Sequence, residues 1–275
     1  GGSAIEISTA STRIILDFGN ELSLDEKYIP INLDIDGVTK GISDCDGIVI
    51  SHYHMDHLGQ LTAALPEIPL YMGVLSKEVA MISAEYQDKN LYLRLLGANT
   101  FRGGEAFTIG DIRIRPLVID HSAADSYMFV IEAEGKRVLY TGDFRMHGLR
   151  HHVLDQLVNT YIGEVDVLIT EGTSLSRDAD KYISEAAVLE DISSYIQDGK
   201  YVFVICSSTN IDRIMGIWQN MPSDKVLICD AYQKRILDTV INNVYYESSL
   251  YRRHDSPLVL NKGSYPKYYM DHGFV

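Results

Sequence analysis

Cysteine is scarce in this 275-residue chain, with Cys45, Cys206 and Cys229 isolated and odd in number. Without Cys-x-x-Cys spacing they build neither a disulfide framework nor a thiolate metal site, so the cytoplasm is the expected compartment. Each reads as a small buried hydrophobe. Positive charge is also in short supply: 24 Lys and Arg stand against 38 Asp and Glu, a formal net charge of −14. The bulk field repels nucleic acid and anionic membrane, which excludes a basic coat as the means of holding either. It does not exclude an enzyme whose bound cations supply local positive charge. No apolar run approaches the ~20 residues needed to cross a bilayer, and no positively charged leader is present, so a soluble chain with no membrane partner is expected. Gly-x-Gly-x-x-Gly and Walker sequences are absent, so no nucleotide cofactor is indicated. What the chain does have is apolar content, 46%, enough for one large domain or two modest ones.

The most informative stretch is Ser51-His52-Tyr53-His54-Met55-Asp56-His57, after the apolar run Gly47-Ile48-Val49-Ile50. In an extended segment residues i and i+2 face the same way, so His52 and His54 can reach one ion. Where the chain turns into a helix, Asp56 and His57 are presented to a neighbouring position that could hold a second ion. A His-rich solvated loop is the plain alternative, and it does not account for four metal-competent side chains closing a buried strand. Later strand ends carry further candidates. Asp120-His121 follows Leu117-Val118-Ile119, which makes His121 the natural third imidazole for the first ion. Gly142-Asp143 follows Val138-Leu139-Tyr140-Thr141, where the two carboxylate oxygens of Asp143 could bridge two cations and Gly142 lets the backbone approach.

The heptad, Asp120-His121-Ser122 and Thr141-Gly142-Asp143-Phe144 together resemble the metallo-β-lactamase superfamily. More narrowly they are similar to its β-CASP branch, which includes ribonuclease J and the cleavage-and-polyadenylation endonuclease. The resemblance implies a four-layer αββα domain over residues 1–171, followed by a parallel α/β β-CASP cap over 172–275 that is only partly present. It places Asp17, at the end of Thr12–Asp17, beneath the metal site as a hydrogen-bond acceptor for a ligand imidazole; a turn-forming Asp before Gly19 is the alternative. Glu171 resembles the acid that opens the β-CASP-specific motifs, and with Asp56 it is a candidate catalytic acid. The returning motif histidines of that branch are missing: His254 and His272 lie in no matching stretch, so the chain is expected to be truncated or the second ion completed by water.

Along the chain, Ala4–Ser8 and Thr12–Asp17 are expected to pair as strands, and Gly110-Asp111 and Glu134-Gly135 to turn hairpins. From Ser76 to about Leu96, Val79, Ile82, Tyr86, Leu93 and Leu96 recur at helical intervals, a long or broken helix. Val165–Gly172 reads as a buried strand. His147, His151 and His152 read as solvated surface. From Ser184 the pattern alternates helix with the unbroken apolar runs Tyr201–Cys206 and Lys225–Asp230, the mark of a parallel α/β layer. Between them, Ser207-Ser208-Thr209-Asn210 opens a helix, where its hydroxyls and backbone N–H groups could take a substrate phosphate or merely cap.

The sequence thus leads to a hydrolase with two ions: His52, His54 and His121 on one, Asp56 and His57 on the other, Asp143 between. The ligand types favour Zn²⁺ and also admit Mn²⁺. A metal-bound hydroxide would attack phosphorus, and the resemblance implies a nucleic acid substrate, RNA before DNA. Arg213 and Lys234 are candidate local cations for its phosphates. A small ester, thioester or lactam substrate is the alternative for the same fold, and a catalytically inactive binding scaffold is the alternative of another class. The oligomeric state is not legible.

Overall fold

The computed structural model describes residues 2–21, 33–173, 182–243 and 257–259. Two five-stranded sheets form its centre. The first contains β1 (Ile5–Ser8), β2 (Arg13–Leu16), β3 (Gly47–Val49), β4 (Leu70–Gly73) and β5 (Asn99–Phe101) in that order. β1 and β2 are antiparallel, and the remaining pairs are parallel. The second contains β6 (Phe107–Ile109), β7 (Ile112–Val118), β8 (Tyr127–Ala133), β9 (Lys136–Tyr140) and β10 (Val167–Ile169), antiparallel except for the parallel β9–β10 edge.

Alternation along the strands sorts side chains into layers. Ile14 and Leu16 of β2 meet Ile112 and Ile114 of β7 and Phe129 and Ile131 of β8 between the sheets. Ile15, on the opposite face of β2, joins Ile48, Leu70 and Met72 against the helices α2 (Val74–Gln87) and α3 (Lys89–Leu96). Met128 and Val130 pack outward against Leu157 of α4 (His152–Leu157) and Ile162 of the π-helical turn that follows it. This is the four-layer αββα sandwich. Glu134 (φ 49°) and Gly135 (φ 72°) both take the left-handed conformation that a two-residue hairpin turn between twisted strands requires.

The long or broken helix expected over 76–96 is broken at Asp88, whose carboxylate accepts from Asn90 and Leu91 N–H and starts α3 afresh. The apolar face differs from expectation: the break resets the phase, so Leu91 and Leu95 are buried while Leu93 and Leu96 are exposed, and Tyr86 is exposed at the end of α2. Val167 and Leu168 are exposed as well, because β10 is a sheet edge with a strand on one side only. In the second half α5 (Glu185–Asp198), α6 (Ile211–Gln219) and α7 (Ala231–Asn242) form where expected, with Ser184 and Asp230 as caps.

The strands there are shorter than the apolar runs suggest. Lys225–Asp230 yields only β11 (Ile228–Cys229), paired in parallel with β12 (Leu258–Val259). Tyr201–Cys206 is not a regular strand, and among the described residues Phe203 and Ile205 are exposed. Leu189, Ile214, Trp218, Ile236 and Leu237 share one apolar cluster with α2, so the core continues across the boundary expected near residue 171. His254 and His272 lie outside the described residues.

Candidate metal centre

β3 ends at Val49, and the next five residues carry the chain over the rim of the first sheet into α1 (Met55–Leu58). The rim is crowded. An added Cβ on Gly19 would overlap the Asp56 carbonyl, which makes glycine obligatory there. Gly142, at φ 53°, lies against the Tyr127 carbonyl and Ser51 in the same way.

Three imidazoles converge on one point. His52 Nε2 and His121 Nε2 each lie 3.1 Å from His54 Nδ1. Nitrogens on a tetrahedral ion with bonds of ~2.0–2.1 Å stand ~3.3 Å apart, so the donor set fits a divalent cation. Burial pushes all three pKa values down, and neighbouring imidazoles push the same way on His52 and His121, the latter reaching about 3. The rings are therefore neutral, as ligands must be. A second group with matching spacing comprises His52, His57 and Asp143, with His57 Nε2 3.2 Å from Asp143 Oδ1.

Asp17 lies behind this cluster, fully buried and at φ 56°, a strained conformation for a non-glycine residue. Its Oδ1 accepts Ser51 N–H at 2.6 Å. Its Oδ2 accepts the Ser51 hydroxyl at 2.8 Å, the Tyr140 hydroxyl at 2.5 Å and His57 Nδ1–H at 2.7 Å. The imidazole of His57 is thereby fixed with Nε2 facing outward. Burial opposes charge on His57, but Asp17 and Asp143 on its two nitrogens outweigh it and raise its pKa to about 10. A cation at Nε2 must displace that proton.

Asp56 falls in neither ligand group among the described residues; its carboxylate is 3.9 Å from His57 Nε2. Glu171 holds the turn after Asp143, accepting Phe144 N–H at 2.6 Å. Burial, with Asp143 adding to it, pushes its carboxyl pKa up. Glu171 also lines a cavity of about 460 Å³ with Phe144, Met146, His147 and Tyr182. His147 is thus not a free surface residue: it stacks on Tyr182, and its carbonyl accepts Glu185 N–H. His151 and His152 are exposed, as expected.

The Ser207–Asn210 turn does open α6, but Asn210 makes no side-chain cap bond. Ser207 and Thr209 hydroxyls bond to each other, and the Thr209 carbonyl accepts the hydroxyl of Tyr53, which lies between the candidate ligands His52 and His54. The candidate cations are already engaged. Arg213 forks onto Glu185 and Lys234 onto Asp238, because carboxylates one turn away or on a packed helix reach them first. Ser51, Tyr53, Tyr140, Asp120 and Arg145 are the contributors that sequence reasoning missed.

A match to the β-lactamase superfamily domain spans residues 29–193, more than half of the chain. The chain belongs to the β-lactamase superfamily. It is 27% identical to endoribonuclease YSH1 of Gibberella zeae over 87% of this chain and 29% of that one. Against the RNase J-like protein of Methanocaldococcus jannaschii identity is 26%, over 74% of this chain and 48% of that one. These relatives bear out the recognition of the β-CASP branch, and the chain spans less than half of their length. A crystal structure of a protein of unknown function from Enterococcus faecalis V583 superposes with a TM-score of 0.73 at 19% identity, over 86% of this chain and 64% of that one, and shows the same fold. No helix among the described residues is long and apolar enough to cross a membrane.

Proposed function

We propose that the chain is the catalytic part of a metal-dependent phosphodiesterase that hydrolyses RNA, with DNA as the secondary substrate. The observation that carries this reading is the convergence of three neutral imidazole nitrogens beside a second His–Asp pair, on a β-lactamase-superfamily fold whose curated relatives include RNA nucleases. His52, His54 and His121 would hold one ion. His57 and Asp143 would hold the other, with Asp143 between the two and Asp56 supplying a further carboxylate. The donor set suits Zn²⁺ and admits Mn²⁺. Such ions acidify a water and neutralise charge on a transferring phosphoryl group.

The chain's own residues do the rest. Asp17, Ser51 and Tyr140 lock the His57 ring, so Nε2 and not Nδ1 faces the reaction. Glu171 fixes the turn that aims Asp143, and its raised pKa suits it to give a proton to the leaving oxygen. The Thr209 carbonyl bonds the hydroxyl of Tyr53, which joins the Ser207–Asn210 turn to the heptad and keeps it a candidate place for a neighbouring phosphate. Three cysteines free of disulfides are consistent with action in the cytoplasm.

The test is a substrate panel: 5′-labelled RNA, the matching DNA, and a set of esters, thioesters and lactams, each with metal-loaded protein. Cleavage of RNA above all others is expected. Turnover of esters or lactams without RNA cleavage would replace this reading with the small-molecule alternative, and no turnover at all would favour a binding scaffold.

A further inference from the structure

A buried ionic network joins the loop that follows Asp143 to the helices α5 and α6. Arg145 is at its centre. Arg145 Nε donates to Asp120 Oδ1 at 2.9 Å, and Arg145 N–H donates to the Asp120 carbonyl at 2.9 Å. Its Nη1 donates to Glu185 Oε1 at 3.3 Å, and its Nη2 lies 3.6 Å from Asp212 Oδ2. Asp120 and Asp212 are buried completely or nearly so, and Arg145 and Glu185 are buried with them. Arg150 closes the network, donating its N–H to Asp120 Oδ2 and its Nη2 to Asp212 Oδ2, at 2.7 and 2.8 Å.

The placement of these groups relative to the metal centre is what gives them meaning. Asp120 adjoins His121, and Arg145 is two residues past Asp143, so the Arg145–Asp120 pair clasps the two strand ends that present those side chains. Glu185 and Asp212 come from a different layer. One guanidinium therefore sets the spacing of His121 and Asp143 and ties it to α5 and α6, while Tyr53, between His52 and His54, ties the opposite side to Thr209. The planar guanidinium hydrogen-bonds Asp120 and Glu185 and lies at ion-pair distance from Asp212, a spread that a compact ammonium does not cover.

We propose that Arg145 is a positioning residue for the metal ligands, and that α5 and α6, through Glu185 and Asp212, hold the centre in its binding geometry. This rests on the proposed metal centre but not on the identity of the substrate. Residues that orient ligands from behind are worth about 10–100-fold in metal affinity.

The test measures Zn²⁺ affinity by competition with a chromophoric chelator, alongside thermal melting of the chelator-treated protein. The variants are Arg145→Lys, Glu185→Gln, Asp212→Asn and, on the other bridge, Tyr53→Phe. Glu185→Gln is the deciding arm, since an amide of the same shape keeps one carbonyl oxygen for the arginines while its NH₂ meets the other donor, and the melting curve separates loss of metal affinity from loss of the fold. The expected result is metal affinity at least about tenfold weaker in Glu185→Gln, with no rescue by the charge-conserving Arg145→Lys. Wild-type affinity in Glu185→Gln, or full affinity in Arg145→Lys, overturns the proposal. A wild-type protein that binds neither Zn²⁺ nor Mn²⁺ overturns the proposed function itself, and this inference with it.

Discussion

Replacing Asp17 by asparagine changes one atom in the most densely bonded carboxylate of the centre. Its Oδ2 receives three donors and its Oδ1 a backbone N–H, so the new NH₂ faces a donor whichever way the amide turns. The least costly orientation keeps oxygen on Ser51 N–H, since a backbone donor cannot turn away. The Ser51 and Tyr140 hydroxyls can rotate to accept, but His57 must give up its Nδ1 proton and carry it on Nε2, the nitrogen that faces Asp143. Hydrogen bonds to a charged group contribute about 1.5–3 kcal/mol each, and breaking a buried ion pair costs about 3–5 kcal/mol. A loss of about 3–5 kcal/mol is therefore expected in urea unfolding of the chelator-treated protein at pH 7.

The pH dependence has a definite sign. His57 is raised from 6.5 to about 10 on folding, so its ionic contribution is complete below about pH 6.5 and is lost as pH rises through 10. That shift sets a ceiling of about 5 kcal/mol. The gap between wild type and Asp17→Asn should narrow over this window. Zn²⁺ binding at the His57–Asp143 site should also weaken, because freeing Nε2 for an ion returns the remaining proton to Nδ1, where it now faces the amide NH₂ in place of a carboxylate. An Asp17→Asn protein within 1 kcal/mol of wild type and with unchanged metal affinity would refute this reasoning.

Further outcomes follow from the same geometry. Metal titration should reveal unequal sites, the three-histidine site tighter and the His57–Asp143 site emptied first by chelator; two equally tight sites would contradict the ligand assignment. Asp56→Ala should impair RNA cleavage by at least about tenfold while shifting stability by under about 1 kcal/mol, and a wild-type rate with both ions bound would remove Asp56 from the centre. Glu171→Gln should lose the basic limb of the rate profile, since a proton donor with a raised pKa fails as pH climbs through that value; an unchanged profile leaves Glu171 only its hold on the 143–145 turn. Substrate binding should show a shallow salt dependence, because Arg213 and Lys234 are held by Glu185 and Asp238. A steep dependence would mean that a basic surface has gone unrecognised.

What could be read from the sequence was whatever one segment carries by itself. His52, His54 and His57 share a turn after a buried strand, and His121 and Asp143 each close a strand of recognisable pattern, so spacing and context were enough to pick out side chains that the fold gathers into one candidate cluster. Of the supports of the centre, Asp17 was legible through the family resemblance, and the others escaped because the groups they bond are distant in sequence. Asp17, Ser51 and Tyr140 meet only when the two sheets are laid face to face, and nothing near Tyr140 marks its hydroxyl as a partner of Asp17. Arg145 looks like any surface arginine until α5 and α6 bring Glu185 and Asp212 over it. Local competition also misled. Asp88 is an ordinary polar residue in a helical pattern, yet its side chain starts a new helix and rotates the apolar stripe. Tyr201–Cys206 has the composition of a buried strand, and burial depends on neighbours that composition does not supply.

If bound cations at the His–Asp cluster enable RNA hydrolysis, the cleavage rate of a 5′-labelled RNA by metal-stripped protein, before and after return of Zn²⁺ or Mn²⁺, in wild type and in Asp143→Ala, shows it directly. No cleavage is expected without metal, restored cleavage with it, and none in Asp143→Ala under either condition. Cleavage that persists in chelator, or that survives in Asp143→Ala, would contradict it.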